Sequence, residues 1–274
     1  MSKLAILLVQ YNIFPNNPEK NLETVQKLIQ DAISKKSNIS KEIPILIILP
    51  ELFTAGFNDL ENIQEVAEEL ITNKNNNLKK LFEIAKINDL NIMGSFPELI
   101  DSKLYNSVFI VNKEGIASLY QKIHLFRLMD EDKYFQAGEN LTLYHFDDII
   151  IGPQICYDLR FPLPARKLAQ DGSHILLYVA NWPSIRGDHW DALLKARAIE
   201  NQCFVIGVNR IGEDRFGQYY GHSSIISPLG EVLVQCDDQE SVTWTVIDII
   251  EQISLARQKF NVLQDDYFSV GKEK

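Results

Sequence analysis

Ile43-Pro44-Ile45-Leu46-Ile47-Ile48-Leu49-Pro50-Glu51 is an apolar run that stops at a proline and is followed at once by a carboxylate. A strand with one wet face alternates apolar and polar residues, so an unbroken run belongs to a sheet covered on both sides. Leu4–Val9 upstream has the same character, and the stretch from Glu19 to Ser37 between them carries the spacing of an amphipathic helix. Strand, helix, strand is a crossover, and crossovers give mainly parallel strands in the first half of the chain. Ligand chemistry in such sheets gathers beyond the C-terminal strand ends, which makes Glu51 the first residue of interest.

Working outward, the pattern predicts a helix over Ile63–Asn88 and strands near Asn91–Ser95, Ser107–Val111 and Ile116–Gln121, followed by a charged loop from Lys122 to Asn140. Strands near Thr142–Phe146 and Ile149–Ile155, a helix over Leu163–Gln170, a strand at His174–Val179, a helix over Arg186–Asn201 and a strand at Cys203–Val208 continue the alternation. Ser223–Ser227, Val232–Cys236 and Val242–Ile247 read as antiparallel strands joined by hairpins, with Pro228–Gly230 as a turn, and a last helix covers Ile249–Lys259. There is no Pro/Gly/Ser-rich linker, low-complexity tract or internal repeat, so all 274 residues are expected in one α/β domain with 260–274 as an irregular tail. Many strands with two kinds of connection can build two sheets packed face to face with helices outside.

Composition narrows the partners. The chain is 46% hydrophobic and 23% charged, and no window approaches the roughly 18 apolar residues of a membrane span. Met1 to Gln10 has neither a basic leader nor a small-residue cleavage site, so the cytoplasm is the expected compartment. A net charge of -10 argues against nucleic acid and anionic membranes, which need a cationic face, and leaves a small polar metabolite as the expected partner. Three cysteines far apart, with no CxxC, suggest neither a disulfide framework nor a zinc knuckle.

Three reactive side chains directly follow apolar strands: Glu51, Lys122 and Cys156. A thiol is mostly protonated near neutrality and becomes a nucleophile when a base takes its proton, a task for Glu51. Lys122 can stabilise negative charge developing on a carbonyl oxygen, with the backbone N–H of Tyr157 as a second donor. Singly, each is equally a solvated loop charge or a small core residue, and spacing alone does not choose.

The surrounding residues do. Leu49-Pro50-Glu51, Tyr120-Gln121-Lys122-Ile123-His124-Leu125 and Ile155-Cys156-Tyr157-Asp158-Leu159-Arg160-Phe161-Pro162 resemble, in type and order, the glutamate, lysine and cysteine motifs of the nitrilase, or carbon–nitrogen hydrolase, superfamily. The resemblance runs from the first strand to the final helix. It implies a four-layer α-β-β-α sandwich, Glu51 as general base, Lys122 stabilising the tetrahedral intermediate and Cys156 as nucleophile. It implies no metal or organic cofactor, and a homodimer or larger homo-oligomer joined through helical faces. A second glutamate that helps place the lysine or the substrate matches Glu131, although Asp130 and Asp132 beside it also fit a solvated acidic loop.

Glu51-Leu52-Phe53-Thr54-Ala55-Gly56-Phe57, His124-Leu125-Phe126-Arg127, Tyr178-Val179-Ala180-Asn181-Trp182-Pro183 and Ala196-Arg197-Ala198-Ile199-Glu200-Asn201-Gln202 are similar to a narrower group, the bacterial-type omega-amidases. That likeness implies hydrolysis of the terminal amide of 2-oxoglutaramate or 2-oxosuccinamate. Such a substrate needs a carboxylate receptor: Arg186, after another strand, is the first candidate and Arg127 the next, with Arg186 alternatively pairing with Asp188 or capping a helix. Phe126 and Trp182 are pocket walls or core packing, and Asn181 is grouped with the substrate contacts. Arg160 is expected in an ion pair with Glu200. Cys203 and Cys236, inside apolar strands, are read as packing. His124 is expected to orient its loop, since the five histidines show no metal-ligand spacing. Other readings are an amidase for deaminated glutathione, an N-carbamoyl amino acid or a nitrile, and a non-catalytic interaction subunit.

Overall fold

The computed structural model describes residues 2–34, 42–70 and 77–266. Its elements are β1 (Lys3–Gln10), α1 (Pro18–Ser34), β2 (Ile45–Ile48), α2 (Ile63–Val66), α3 (Asn77–Asn88), β3 (Asn91–Ile100), β4 (Lys103–Asn112), β5 (Gly115–Gln121), α4 (Glu131–Tyr134), β6 (Tyr144–Phe146), β7 (Ile149–Ile155), α5 (Pro162–Gln170), β8 (Ile175–Ala180), α6 (Gly187–Asn201), β9 (Phe204–Asn209), β10 (Ile211–Asp214), β11 (Gly217–Tyr220), β12 (Ser224–Ile226), β13 (Val232–Gln235), β14 (Ser241–Asp248) and α7 (Ile249–Lys259). They form two six-stranded sheets, β14-β1-β2-β3-β4-β5 and β13-β12-β9-β8-β7-β6.

Side-chain alternation on β1 explains the layering. Leu4, Ile6 and Leu8 face the other sheet and join a core with Ile151, Ile155, Leu177 and Val179, whereas Ala5, Leu7 and Val9 pack under Leu22, Val25 and Ile29 of α1 and Leu78, Leu81 and Ala85 of α3. Trp190, Leu194 and Ala198 of α6 and Ala165 and Leu168 of α5 cover the far face of the second sheet. The result is an α-β-β-α sandwich whose strands are buried on both sides, as the continuous apolar runs require. Gly207 in β9 lets α6 lie close: a Cβ there would meet Leu194 at 2.6 Å and Trp190 at 2.7 Å. No described helix is long and apolar enough to cross a membrane.

The structure corrects several expectations. Parallel pairing in the first half stops at β3, because β3-β4-β5 is an antiparallel meander; the other parallel run is β7-β8-β9. β14 does not form a hairpin with β13 but pairs with β1 in the other sheet. The single helix expected over Ile63–Asn88 is broken: after α2, Ala67 is extended (ψ 143°) and Glu68 bridges to Glu98, its N–H donating to the Pro97 carbonyl at 2.9 Å. α3 begins at Asn77, and residues 71–76 lie outside the described residues, as do 35–37 of the expected first helix and 267–274 of the tail. The β10–β11 hairpin, absent from the sequence reading, is anchored by the fully buried Arg210, which donates to Asn12 Oδ1 at 2.9 Å and the Ile13 carbonyl at 3.1 Å and pairs with Asp214 at 3.3 Å.

Candidate active site

β5 and β7 deliver Lys122 and Cys156 at the residue directly after each strand, and β2 delivers Glu51 three residues after its last paired position. All end at one rim. Both the glutamate and the cysteine sit at sharp backbone turns: Leu52 follows Glu51 with φ 45°, and Cys156 itself has φ 44°. A left-handed conformation costs a residue with a Cβ about 1–2 kcal/mol, so something must hold it. At Cys156 that is Asp158, fully buried, whose Oδ2 accepts from the Ile155 N–H at 3.0 Å and the Tyr120 hydroxyl at 2.7 Å. Its Oδ1 accepts from the His124 N–H at 3.0 Å and lies 2.7 Å from His124 Nδ1. His124 also stacks on Phe161 with ring centroids 3.7 Å apart, which ties the lysine loop to the cysteine turn, the orienting task expected of it.

The polar centre is buried. Glu51, Lys122 and Glu131 are each 0% exposed and Cys156 is 7% exposed. Lys122 Nζ donates to Glu51 Oε1 at 2.8 Å and to Glu131 Oε1 and Oε2 at 2.9 and 2.8 Å. The N–H of Phe126 holds Glu131 Oε2 at 2.7 Å, the Asn181 N–H holds Glu51 Oε2 at 2.7 Å, and Asn181 Nδ2 donates to the Glu51 carbonyl at 2.7 Å. The Cys156 thiol points at the Asn181 carbonyl, 3.8 Å away. Asn181 thus braces Glu51 and the sulfur from one position at the end of β8. Glu131 belongs to the cluster rather than to a solvated loop; Asp130 and Lys133 pair on the exposed side of its turn, at 3.0 Å.

Two glutamates flank one ammonium beside the thiol. Burial, and then the nearby Glu51 charge, push the Cys156 pKa well above the ordinary thiol value against the opposing pull of Lys122. Burial works against the Lys122 charge, but Glu131 and Glu51 outweigh it and hold its pKa above the ordinary lysine value. Burial raises Glu131 above the usual carboxylate range, with Lys122 opposing. A raised thiol pKa favours the protonated sulfur, the form that a neighbouring base converts to a nucleophile.

A small cleft opens onto the sulfur, with Tyr157, Asn181, Trp182 and Pro183 beside it. Phe126 also lines it and packs on Tyr157, ring centroids 4.8 Å apart. Trp182 serves both core and pocket: it packs on Trp190 at 5.5 Å and its Nε1 donates to the Arg186 carbonyl at 2.7 Å. Two guanidiniums complete the wall. Arg186 lies 5.9 Å over the Phe126 ring and provides no side-chain cap to α6; Arg160 lies 4.5 Å over Trp182 and 3.3 Å from His189 Nδ1. Neither is paired with a carboxylate among the described residues. The expected Arg160–Glu200 pair is replaced by Arg197–Glu200 at 2.8 Å, one helical turn apart on α6, which frees Arg160 for the cleft. Arg127 lies outside the cleft, 87% exposed and 3.7 Å from Asp132. Larger depressions along α7 and at the opposite end of the sandwich contain none of Glu51, Lys122 and Cys156.

Sequence reasoning gave no role to Asn106, Ser95, Asp158 or Tyr120. Asn106 Nδ2 bridges the two carboxylates, donating to Glu51 Oε1 at 2.8 Å and Glu131 Oε1 at 3.1 Å. The available signal was a pair of polar residues, Asn106-Ser107, interrupting an otherwise apolar strand, since a polar side chain in a doubly covered sheet needs a partner.

Comparison with known proteins gives the family. The carbon-nitrogen hydrolase family model matches residues 6–257. The chain is 37% identical over 265 residues to a 2-oxoglutaramate amidase of Bacillus subtilis (strain 168), covering 96% of this chain and 97% of that protein. It is 38% identical over 228 residues to the omega-amidase YafV of Escherichia coli (strain K12), covering 80% and 83%. Among solved structures, a CN-hydrolase superfamily protein from Xanthomonas campestris, crystallised with an arsenic adduct in its active site, superposes with a TM-score of 0.86 at 32% identity, covering 99% of this chain and 100% of that one. With a buried thiol, carboxylates and an ammonium meeting at the strand ends of an α-β-β-α sandwich, and with that match spanning most of its length, the chain belongs to the carbon-nitrogen hydrolase family and is an amidase.

Proposed function

We propose that this enzyme hydrolyses the terminal carboxamide of a small 2-oxo dicarboxylic acid monoamide, such as 2-oxoglutaramate or 2-oxosuccinamate, through a thioester on Cys156. The observation that carries the substrate class is the pair of guanidiniums, Arg160 and Arg186, on the wall of the cleft that reaches the sulfur. A carboxylate accepts two parallel N–H bonds from a guanidinium, and a 2-oxo oxygen is a further acceptor, so the end of the substrate remote from the amide has complementary groups there. Similarity to the Bacillus subtilis 2-oxoglutaramate amidase supports the same class.

The chemistry follows from the buried polar centre. Glu51 takes the Cys156 proton as the sulfur bonds to the amide carbon, and the carbonyl electron pair moves onto oxygen. Lys122 and the Tyr157 N–H donate to that oxygen, where low polarity of the surroundings makes each donor count for more than in water. Glu51 returns the proton to nitrogen as the C–N bond breaks and ammonia leaves. A water that gives its proton to Glu51 then attacks the thioester, and collapse of the second tetrahedral intermediate releases the carboxylate and restores the thiol.

The test compares kcat/KM for ammonia release from 2-oxoglutaramate, 2-oxosuccinamate, deaminated glutathione, an N-carbamoyl amino acid and a simple nitrile. The two 2-oxo acid amides are expected to lead, Cys156→Ala to be inactive while folded, and an acyl-enzyme on Cys156 to be trapped by rapid quench and mass spectrometry. Arg186→Ala is expected to raise KM by roughly 10- to 100-fold, as for a lost hydrogen bond to a charged group. A nitrile or carbamoyl compound turned over far faster than either 2-oxo acid amide overturns the substrate assignment.

A further inference from the structure

The donor count at Lys122 poses a problem that its neighbours solve. An ammonium has three N–H groups, and in the resting enzyme all three are used: one on Glu51 Oε1 and one on each oxygen of Glu131. To meet an oxyanion, Lys122 must turn one of them away from a carboxylate oxygen that is fully buried, and a buried charged acceptor left without a donor is costly.

Asn106 is built to cover that loss. Its Nδ2 carries two N–H groups, one on Glu51 Oε1 and one on Glu131 Oε1, so each oxygen that Lys122 shares with it keeps a donor when the ammonium turns; the Phe126 N–H does the same for Glu131 Oε2. The amide has only one workable orientation. Carboxylate oxygens offer it only acceptors, so its NH2 faces Glu51 and Glu131 and its Oδ1 takes the Ser95 hydroxyl proton at 2.8 Å, while Ser95 Oγ accepts from the Leu52 N–H at 2.9 Å. The Asn106 carbonyl also accepts from the Lys122 N–H at 2.9 Å, which fixes the lysine backbone on β4. We propose that Asn106, oriented by Ser95, is a positioning residue that keeps Glu51 and Glu131 hydrogen-bonded while Lys122 swings an N–H to the substrate oxygen. This rests on the roles given above to Glu51, Lys122 and Cys156.

Two readouts test it. With 2-oxoglutaramate, Asn106→Ala is expected to lower kcat roughly 10- to 100-fold with little change in KM, because the missing donors matter when the oxyanion forms. The second needs no substrate: the rate of iodoacetamide alkylation at Cys156, followed by mass spectrometry against pH. A carboxylate that loses a donor is protonated more easily, so the acid limb of that profile is expected to move up by roughly one pH unit in Asn106→Ala. Ser95→Ala, which removes the donor to Asn106 Oδ1 together with the acceptor of the Leu52 N–H, is expected to shift both readouts the same way by a smaller amount and carries the test if Asn106→Ala does not fold. Folded variants with a wild-type pH profile and kcat overturn the role of Asn106 alone. Turnover retained in Cys156→Ala overturns the mechanism beneath it.

Discussion

Among the described residues four glutamates are buried, in two pairs, and only one pair holds a cation. At the strand C-termini Glu51 and Glu131 share Lys122, and the ammonium's own pKa is held high by them. Where the chain crosses from α2 towards α3, Glu68 and Glu98 are 2% and 4% exposed on bridged residues, with no cation between them among the described residues. Glu98 takes the Ser118 hydroxyl at 2.7 Å, and Glu68 takes the Leu78 N–H at 3.1 Å while its Oε1 is unpartnered among the described residues. Burial pushes the Glu68 carboxyl up to about 8 and raises Glu98 as well. Burial raises Glu68 and Glu98 against neutral donors only, whereas at Glu131 a lysine and a backbone N–H pull against it.

Removing the cation breaks the contrast most severely. Lys122→Met is expected to abolish measurable ammonia release, at least a 1000-fold loss, and to destabilise the fold by about 3–5 kcal/mol, because two buried carboxylates lose their counter-charge. Urea unfolding and a coupled ammonia assay measure the two effects; a stable, active Lys122→Met protein defeats the account of the centre. Glu131→Gln keeps the size but not the charge, and is expected to lower kcat roughly 100-fold with the fold intact.

At the other site the effect is on stability and its sign is set by a raised pKa. Glu68 holds its proton in the folded state up to about 8 and gives it up near the usual carboxylate range when unfolded. Its contribution is therefore fully present below that range and lost as pH rises towards and through about 8. Glu68→Gln is expected to flatten the fall of the urea midpoint between about pH 5 and 9, making the variant more stable than the parent at the alkaline end by about 1–3 kcal/mol, with activity retained. An unchanged pH slope shows that the carboxyl ionises in place. Glu98→Gln is expected to act in the same direction and more weakly, because two serine hydroxyls oppose its burial.

These sites differ in how far the chain announces them. Glu51, Lys122 and Cys156 stand directly beyond apolar runs, and a reactive residue at a strand end is visible in one dimension. Arg186 is less direct, six residues beyond the end of β8. Arg160 announces nothing: whether its guanidinium meets Glu200 or the cleft depends on which arginine α6 turns towards that glutamate, and Arg197, three residues before it, takes the place. Nor does Arg127, in a motif beside the site, announce that its side chain leaves the cleft for water. The break in the expected Ile63–Asn88 helix has the same origin. Local periodicity favours continuation, but Glu68 gains two backbone hydrogen bonds to β3 that no helix can make, and the helix yields.

What the sequence by itself determined is the set of buried strands and the reactive residues that punctuate them, because burial on both faces writes itself as uninterrupted apolar runs, and a chemical group at the end of such a run is conspicuous. What only the tertiary structure decided is the company those groups keep: β14 crossing to the first sheet, Asn106 reaching from β4 to the carboxylates with Ser95 of β3 behind it, and a lysine inside one pair of glutamates but not the other. Hydrogen bonds and charges act over about 3 Å between residues as far apart as Glu51 and Asn181, and strand order, not chain order, brings those distances about.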